Sequence, residues 1–530
     1  MIEVTRYPLW GYCRIEGILA NLGYAIGHKT GSYTMIDVVR IPQRVVVITA
    51  LGFALWGVSL SAEAGQTVDE IDAHQGNVRI LLYRSYLPRF GRAQVPLPDI
   101  TVVKNGVTTK LPLCPNRQDT FDADFTPARE LFAHGEDNLP LIIEAIADIA
   151  KIRRQGDFPH CAWWLVADSD NFNIAFPDAN ASYWVQPFIT SDDTEVYIDG
   201  VYPDERYMSL ALYNQNLDFY FYRPTPNRPN ATVPSFITDF EIAPNAGSLN
   251  PWQQIASGGG SYRVTIKPHP EFGEVNVLPW FDNVQPEAER AQGSFPIPPP
   301  CGRADSISAC TVNTQFVSPP TAVQSSIFSN PDNGYLPARV TLDAVDRVYV
   351  IRGKAPRAPA GESPVPWDPS SDAYEVRYWS FCSAIYLRPY PTIEGETGLN
   401  QRSAACVADR DIPLDEHGMY TIVFSTEAAK PLNLEDNVVW IKGVRGPANI
   451  LIYRHMLPTN HFENSVQEVP RSGSFVDAMT TMGPYYPLIT VSCTKAHYEA
   501  NGWGGCVAPK VLTNPDGLGS GPGLPGVGGP

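Results

Sequence analysis

One set of short motifs occurs twice in this 530-residue chain, and that duplication restricts the fold more than any other feature. Phe176–Tyr183 reads F-P-D-A-N-A-S-Y, and Asn330–Tyr335 reads N-P-D-N-G-Y. Further on, Ile198-Asp199-Gly200-Val201-Tyr202-Pro203 and Ile351-Arg352-Gly353-Lys354-Ala355-Pro356 share I-x-G-x-x-P. Arg206-Tyr207-Met208-Ser209 matches Arg377-Tyr378-Trp379-Ser380, and Gly260-Ser261-Tyr262 matches Gly418-Met419-Tyr420. Two related modules therefore build the body of the protein. Residues that recur in both copies point to the frame they share rather than to chemistry.

The local pattern is that of strands. Pro 50 and Gly 41 punctuate short runs of aromatic and β-branched residues, which reads as strands joined by turns. Glu195–Ile198, Tyr207–Tyr213, Tyr262–Ile266, Arg347–Ile351, Tyr420–Phe424 and Ile450–Tyr453 are expected strands. Ile100–Leu111 is an expected hairpin, because Asn105-Gly106 accepts positive φ at low cost. One amphipathic helix is predicted over 139–154, where Leu141, Ile142, Ala145, Ile146, Ile149 and Ile152 recur at helical spacing. A shorter helix is predicted near 127–133.

The second module ends in I-L-I-Y-R-H-M-L-P, from Ile450 to Pro458, whereas the first has no such strand after Trp280. Ile80–Pro88 reads I-L-L-Y-R-S-Y-L-P far upstream. The strand at 78–88 is therefore expected to close the first module, making that module circularly permuted; a truncated third copy is the alternative. The expected organisation is a leader over 1–64, a first β module over 65–280 and a Pro-rich linker over 281–329. A second β module over 330–510 and a disordered Gly/Pro tail over 511–530 follow. The fold class is mainly β: two related β-sandwich or jelly-roll-like modules with one or two helices in the N-terminal part.

The leader reads as an export signal. Arg40 and Arg44 precede an apolar run from Val45 to Val58, and Ala62-Glu63-Ala64 supplies a small-x-small cleavage pattern. Met35 is the expected true start, since it gives an n-region of ordinary length. The run is too short to span a bilayer comfortably, so no integral membrane span is expected in the mature chain. Nine cysteines become eight once Cys13 is removed with the leader. Proximity pairs Cys301 with Cys310, Cys382 with Cys406 and Cys493 with Cys506, which leaves Cys114 for Cys161. None has the C-x-x-C spacing of a zinc or redox site, so a secreted or periplasmic protein with disulfides is expected. Cleavage after Ala64 would remove five Lys/Arg and four Asp/Glu, taking the net charge from −17 to −18. That acidity argues against nucleic acid and anionic membrane surfaces as partners.

Several of these motifs resemble those of a widespread group of exported bacterial proteins with domains of unknown function. The matching residues are Arg377-Tyr378-Trp379-Ser380, Glu416-His417-Gly418-Met419-Tyr420-Thr421 and Tyr453-Arg454-His455-Met456-Leu457-Pro458, over roughly 170–280 and 330–465. The resemblance implies export and jelly-roll-like domains. It brings no activity and no catalytic residues.

Four candidate sites remain. Arg84, Arg206, Arg377 and Arg454 recur at matched places; they would either bind an anion or pair with carboxylates inside each module. Trp163, Trp164, Tyr183, Trp184, Tyr220 and Tyr222 form an aromatic cluster that would stack on a glycan or a small apolar ligand if exposed and would otherwise be core. Asp168, Asp170 and Asp178 are hard oxygen ligands that calcium would accept, though the loop lacks EF-hand spacing. His455, His461 and Glu463 would hold zinc or act as acid and base, though their spacing is not H-E-x-x-H. There is no G-x-S-x-G elbow, phosphate-binding loop or dinucleotide fingerprint. The leading expectation is non-catalytic binding of a glycan or small apolar ligand. An extracytoplasmic hydrolase using carboxylates between the modules and a structural cell-envelope component are the alternatives.

Overall fold

Nineteen strands dominate the described residues of a computed structural model of the chain. It describes residues 78–114, 161–163, 165–169, 176–189, 194–213, 235–255, 259–268, 279–281, 315–318, 330–385, 392–393, 406–489 and 493–506. The leader, the predicted helices at 127–133 and 139–154, Cys301 and Cys310, most of the linker and the tail lie outside the described residues. All described residues belong to one unit, Asp69–Pro530.

In chain order the first ten strands are β1 (Val78–Pro88), β2 (Asp99–Lys104), β3 (Val107–Lys110), β4 (Leu165–Ala167), β5 (Ala181–Ile189), β6 (Thr194–Val201), β7 (Glu205–Tyr213), β8 (Ser235–Thr238), β9 (Ser261–Pro268) and β10 (Pro279–Phe281). They form two sheets, ordered β4-β5-β1-β7-β8 and β10-β9-β6-β2-β3. The predicted hairpin is β2–β3, with Asn105 at φ 51° and Gly106 at φ 73°, the two positive values a tight hairpin turn requires.

The remaining strands are β11 (Asn333–Leu342), β12 (Arg347–Lys354), β13 (Val376–Ile385), β14 (Cys406–Ala408), β15 (Met419–Thr426), β16 (Val438–Gly443), β17 (Gly446–Pro458), β18 (Leu488–Ile489) and β19 (Cys493–Thr494). Their sheets run β11-β17-β13-β14 and β16-β15-β12-β18, with β19 also on β12. β1 lies between β5 and β7, and β17 lies between β11 and β13. The I-L-x-Y-R-x-x-L-P strand thus fills the same slot in each sandwich, reached from opposite ends of the chain.

The recurrent motifs now have physical causes. Leu87 and Leu457 sit at φ 52° and 46°, a conformation costly for a branched residue. In each case the amide is thereby aimed at the turn before the neighbouring strand: Leu87 N–H donates to Asn180 O at 3.0 Å, and Leu457 N–H to Asp332 O at 2.8 Å. The glycine of I-x-G is needed because the Tyr of G-x-Y lies over it across the sheet, pairing Gly200 with Tyr262 and Gly353 with Tyr420. A Cβ on Gly200 would meet the Tyr262 ring at 2.4 Å, and one on Gly353 the Tyr420 hydroxyl at 2.5 Å.

The sheets stack in four layers. One apolar core joins the two sheets of the first sandwich through Leu81, Tyr83, Met208, Leu210, Ile198 and Val264. A larger one joins those of the second through Trp379, Phe381, Tyr453, Tyr420, Ile422 and Phe424. Between them, Tyr86, Leu87, Ala181 and Tyr207 of the first sandwich pack against Tyr378, Ala408 and Met456 of the second. The two arginine-bearing sheets therefore face each other, which is why every residue of β13 is buried instead of alternating as in a half-solvated antiparallel strand.

Two α-helices occur among the described residues, α1 (Phe475–Met482) and α2 (Lys495–Gly505), capped by Ser474 and Thr494. Both are C-terminal, where the sequence pattern predicts no helix. No helix among the described residues is long and apolar enough to cross a membrane. Among the described residues three disulfides are formed: Cys114–Cys161, Cys382–Cys406 and Cys493–Cys506. Such bonds persist in oxidising, extracytoplasmic surroundings.

Candidate functional site: the charged seam between the sandwiches

The four recurrent arginines are all buried. Three of them form ion pairs with carboxylates of the other sandwich. Arg206 on β7 grips Asp409 with Nη1 at 2.6 and 2.7 Å. Arg377 on β13 reaches back to Asp239, with Nη1 at 2.7 Å from Oδ1 and Nη2 at 3.0 Å from Oδ2. Arg454 on β17 lies 2.9 Å from Asp178. Pairing within each module, the structural expectation from sequence, is thus replaced by pairing between modules. The reason is topological: β1, β7, β13 and β17 turn these residues out of their own cores toward the facing sheet. Arg84 occupies the place of Arg454 in the first sandwich, 5.6 Å from the Phe236 ring.

The exchange follows an internal two-fold relation. Arg84 is opposite Ser209 across β1–β7, as Arg454 is opposite Ser380 across β17–β13. Asp239 and Asp409 each open a 3-10 turn, Asp239–Glu241 and Asp409–Asp411. The tyrosine of R-Y-x-S crosses as well: Tyr207 donates to Asp332 at 2.8 Å and Tyr378 donates to Asp178 at 2.8 Å. Thr238 and Ser380 add donors to the same two carboxylates at 2.6 and 2.8 Å.

The two turn carboxylates are not equivalent residues. Asn180 N–H donates to Asp178 Oδ1 and Asp332 N–H donates to Asn330 Oδ1, each at 3.0 Å. Backbone equivalence therefore pairs Asp178 with Asn330 and Asn180 with Asp332. Asp and Asn have exchanged places in one side-chain-capped turn, so matching the two P-D pairs puts the carboxylates two residues out of register.

Burial raises the Asp239 carboxyl to about 7 against the pull of Arg377, and the Asp409 carboxyl to about 6 against that of Arg206. An arm of the second sandwich, the 355–375 connection, reinforces the contact. Gly361 O accepts from Arg206 Nε at 2.8 Å, and Trp367 N–H donates to Trp252 O at 2.8 Å. The Arg377 guanidinium lies 5.6–5.7 Å from the rings of Tyr207, Trp252 and Trp367. In this seam three guanidinium–carboxylate pairs, Arg206–Asp409, Arg377–Asp239 and Arg454–Asp178, offset one another's buried charge.

The aromatic cluster is placed differently. Trp163 and Trp184 are 0% and 1% exposed and flank Tyr83, at ring distances of 5.8 and 5.3 Å. Their faces are covered by the core of the first sandwich. Tyr183 lies in the seam, its hydroxyl 3.0 Å from that of Tyr86, and burial raises its pKa to about 12. Trp164, Tyr220 and Tyr222 lie outside the described residues, as does Asp170. Asp168 is paired with Arg92 and Asp178 with Arg454, so neither carboxylate faces a common loop site. Asp178 also lies near Cys382 and Cys406, but those sulfurs are joined to each other.

His455 is fully buried and separated from the exposed His461 and Glu463. Its Nδ1 accepts from Val466 N–H at 3.2 Å, so Nε2 carries the proton and donates to Tyr453 Oη at 2.7 Å. Burial lowers its pKa to about 3, which keeps the ring neutral.

Sequence reasoning missed Asp239, Asp409, Asp332 and Glu205. A signal for the first two exists: Ile237-Thr238-Asp239-Phe240-Glu241-Ile242 and Val407-Ala408-Asp409-Arg410-Asp411-Ile412 form a further matched pair.

No protein-family model and no curated protein matches the chain. Among solved structures, it is similar to an uncharacterized protein from Burkholderia cenocepacia at a TM-score of 0.23 and 12% identity, over 57% of this chain and 77% of that one. It is similar to the VPA0106 protein from Vibrio parahaemolyticus at a TM-score of 0.21 and 11% identity, over 83% and 96%. Likenesses at this level carry no argument about function.

Proposed function

We propose that this chain is an exported, non-catalytic structural component of the cell envelope, secreted or periplasmic, whose two sandwiches act as one rigid body. The observation that carries the reading is the crosswise seam. Arg206, Arg377, Arg454, Tyr207 and Tyr378, residues of the repeated motifs, are buried and bind the modules to each other. A hydrolase using carboxylates between the modules fits poorly, because Asp178, Asp239 and Asp332 are buried, and the Asp409 carboxylate is 6% exposed, against Arg, Tyr, Ser or Thr donors. Stacking of a glycan on Trp163 and Trp184 fits poorly for the same reason. The export reading draws on the disulfides and on the apolar run before Ala64.

Thermal unfolding of the purified, oxidised protein against soluble glycans, lipid vesicles, calcium and EDTA tests the reading. A ligand at a hundredfold its Kd adds about 2.7 kcal/mol and moves the midpoint visibly. The midpoint should stay fixed across the panel. A shift with one sugar or lipid class would overturn the structural reading in favour of ligand binding.

A further inference from the structure

One disulfide lies in the seam itself. Cys382 and Cys406 are directly opposed across β13–β14, and both are buried. The equivalent opposed pair across β7–β8 in the first sandwich is Ala211 and Phe236, so the shared frame does not require a bridge here. What the bridge touches belongs to the seam. Ala179 N–H, from the first sandwich, points at Cys406 Sγ at 3.2 Å, and Arg454 Nη2 lies 3.5 Å from Cys382 Sγ.

The bridge also closes the chain covalently between 382 and 406. Within that loop Thr392 is tied back to Ala384 of β13, and its hydroxyl donates to Pro177 O at 2.5 Å. The turn 176–180 of the first sandwich is thus held from four sides by the second: Tyr378 and Ser380 of β13, Arg454 of β17, Cys406 of β14 and Thr392 of the loop. The reciprocal turn, 330–333, is held by Tyr207, Thr238 and Tyr86 with no covalent closure among the described residues.

We infer that the Cys382–Cys406 disulfide is a redox latch that closes the second sandwich around the turn 176–180 of the first, rather than a staple of the second sandwich alone. A covalent loop closure removes conformational freedom from the unlatched state, so Thr392 and Cys406 meet the turn in one fixed arrangement. A dithiol reductant delivers two electrons and two protons. The Cys382–Cys406 bond then breaks into two thiols, and the reductant leaves as its cyclic disulfide. An oxidised dithiol runs the reverse after export. The inference rests on the export reading for its biological setting: the ion pairs of the seam join the modules in either redox state, and the turn 176–180 is locked only where the disulfide forms.

Amide hydrogen exchange on the purified chain tests it. Cys382→Ala/Cys406→Ala and Cys382→Ala/Cys406→Phe, the latter carrying the residues of the first sandwich, should both speed exchange at 176–183 by about tenfold or more. Exchange in β12 and β15 should stay as in the parent. Cys493→Ala/Cys506→Ala, which opens the bridge near α2, should leave 176–183 protected. Full protection in the Ala/Phe variant would overturn the latch, because packing alone would then hold the turn. Loss of protection in β12 and β15 along with the turn would overturn it too, as would failure of both Cys382/Cys406 variants to fold while the Cys493/Cys506 variant folds. The bridge would then be a staple of the second sandwich. Exchange is read without any ligand or compartment, so a negative result leaves the envelope reading standing, and a ligand found in the panel leaves the latch untouched.

Discussion

In the first sandwich the strand that carries Arg84 places the next residue, Ser85, against the buried carboxyl of Glu205, with the Tyr83 hydroxyl 3.5 Å away. In the second, the strand that carries Arg454 places His455 between Tyr453 and the Val466 amide, and Val376 stands where Glu205 would be. The outer faces differ as well. β2, β6 and β9 of the first sandwich turn Thr101, Tyr197, Thr265 and the Asp199–Arg263 ion pair outward. On the second, Val348, Val350, Val423 and Trp440 lie under Tyr498 and Trp503 of α2. One frame therefore tolerates different chemistry at its inner and outer positions. It keeps the arginine and tyrosine residues of the seam in both copies, and that contrast locates the shared constraint at the contact between modules.

The largest expected effect breaks the seam. Arg377→Ala leaves Asp239 buried without its guanidinium and should cost about 3–5 kcal/mol in denaturant unfolding. Arg206→Ala should cost somewhat less, because its partner Asp409 is 6% exposed where Asp239 is 0%.

Acid should separate the two inner sites. His455 titrates near 3 when folded and near 6.5 when unfolded. Below about 6.5 the unfolded chain binds a proton that the folded chain refuses, so stability falls as pH drops from about 6.5 to 3, by on the order of 4 kcal/mol. His455→Ser, the residue of the first sandwich, should flatten unfolding free energy over that window even if it lowers the value at pH 7. Glu205 has the opposite sign. Burial raises its pKa well above the ordinary carboxylate value, so the folded chain keeps a proton that the unfolded chain releases, and its contribution declines as pH rises. Glu205→Gln should leave the protein at least as stable at neutral pH and remove that decline; a large loss at pH 7 would contradict the assignment.

The outer faces give the smaller effects. Cys493→Ala/Cys506→Ala loosens α2 over apolar strands and should cost up to about 3 kcal/mol. Tyr197→Ala on the open face of the first sandwich should change stability by less than about 0.5 kcal/mol.

Much of the frame was legible before the structure. Alternation along β6 and β9 and the Asn-Gly turn at 105–106 are local signals, and the match between 80–88 and 450–458 identified strands that share one slot. The crosswise pairing was not legible, because a guanidinium's position in sequence does not reveal which sheet face it leaves from or what lies opposite. The exchanged Asp and Asn of the two turns show the same limit: residue matching aligned P-D with P-D, whereas hydrogen bonding aligns Asp178 with Asn330. α1 and α2 escaped because each is short and weakly periodic. Their Ser474 and Thr494 caps were the readable trace. The aromatic cluster was legible as a cluster, but its burial depends on strands that close over it from distant parts of the chain.

The seam makes one body of the two sandwiches. Differential scanning calorimetry of the oxidised protein tests that most directly. A single transition with equal calorimetric and van't Hoff enthalpies is predicted, splitting into two when Asp239→Asn and Asp409→Asn are combined. Two separate transitions in the unaltered protein would contradict it.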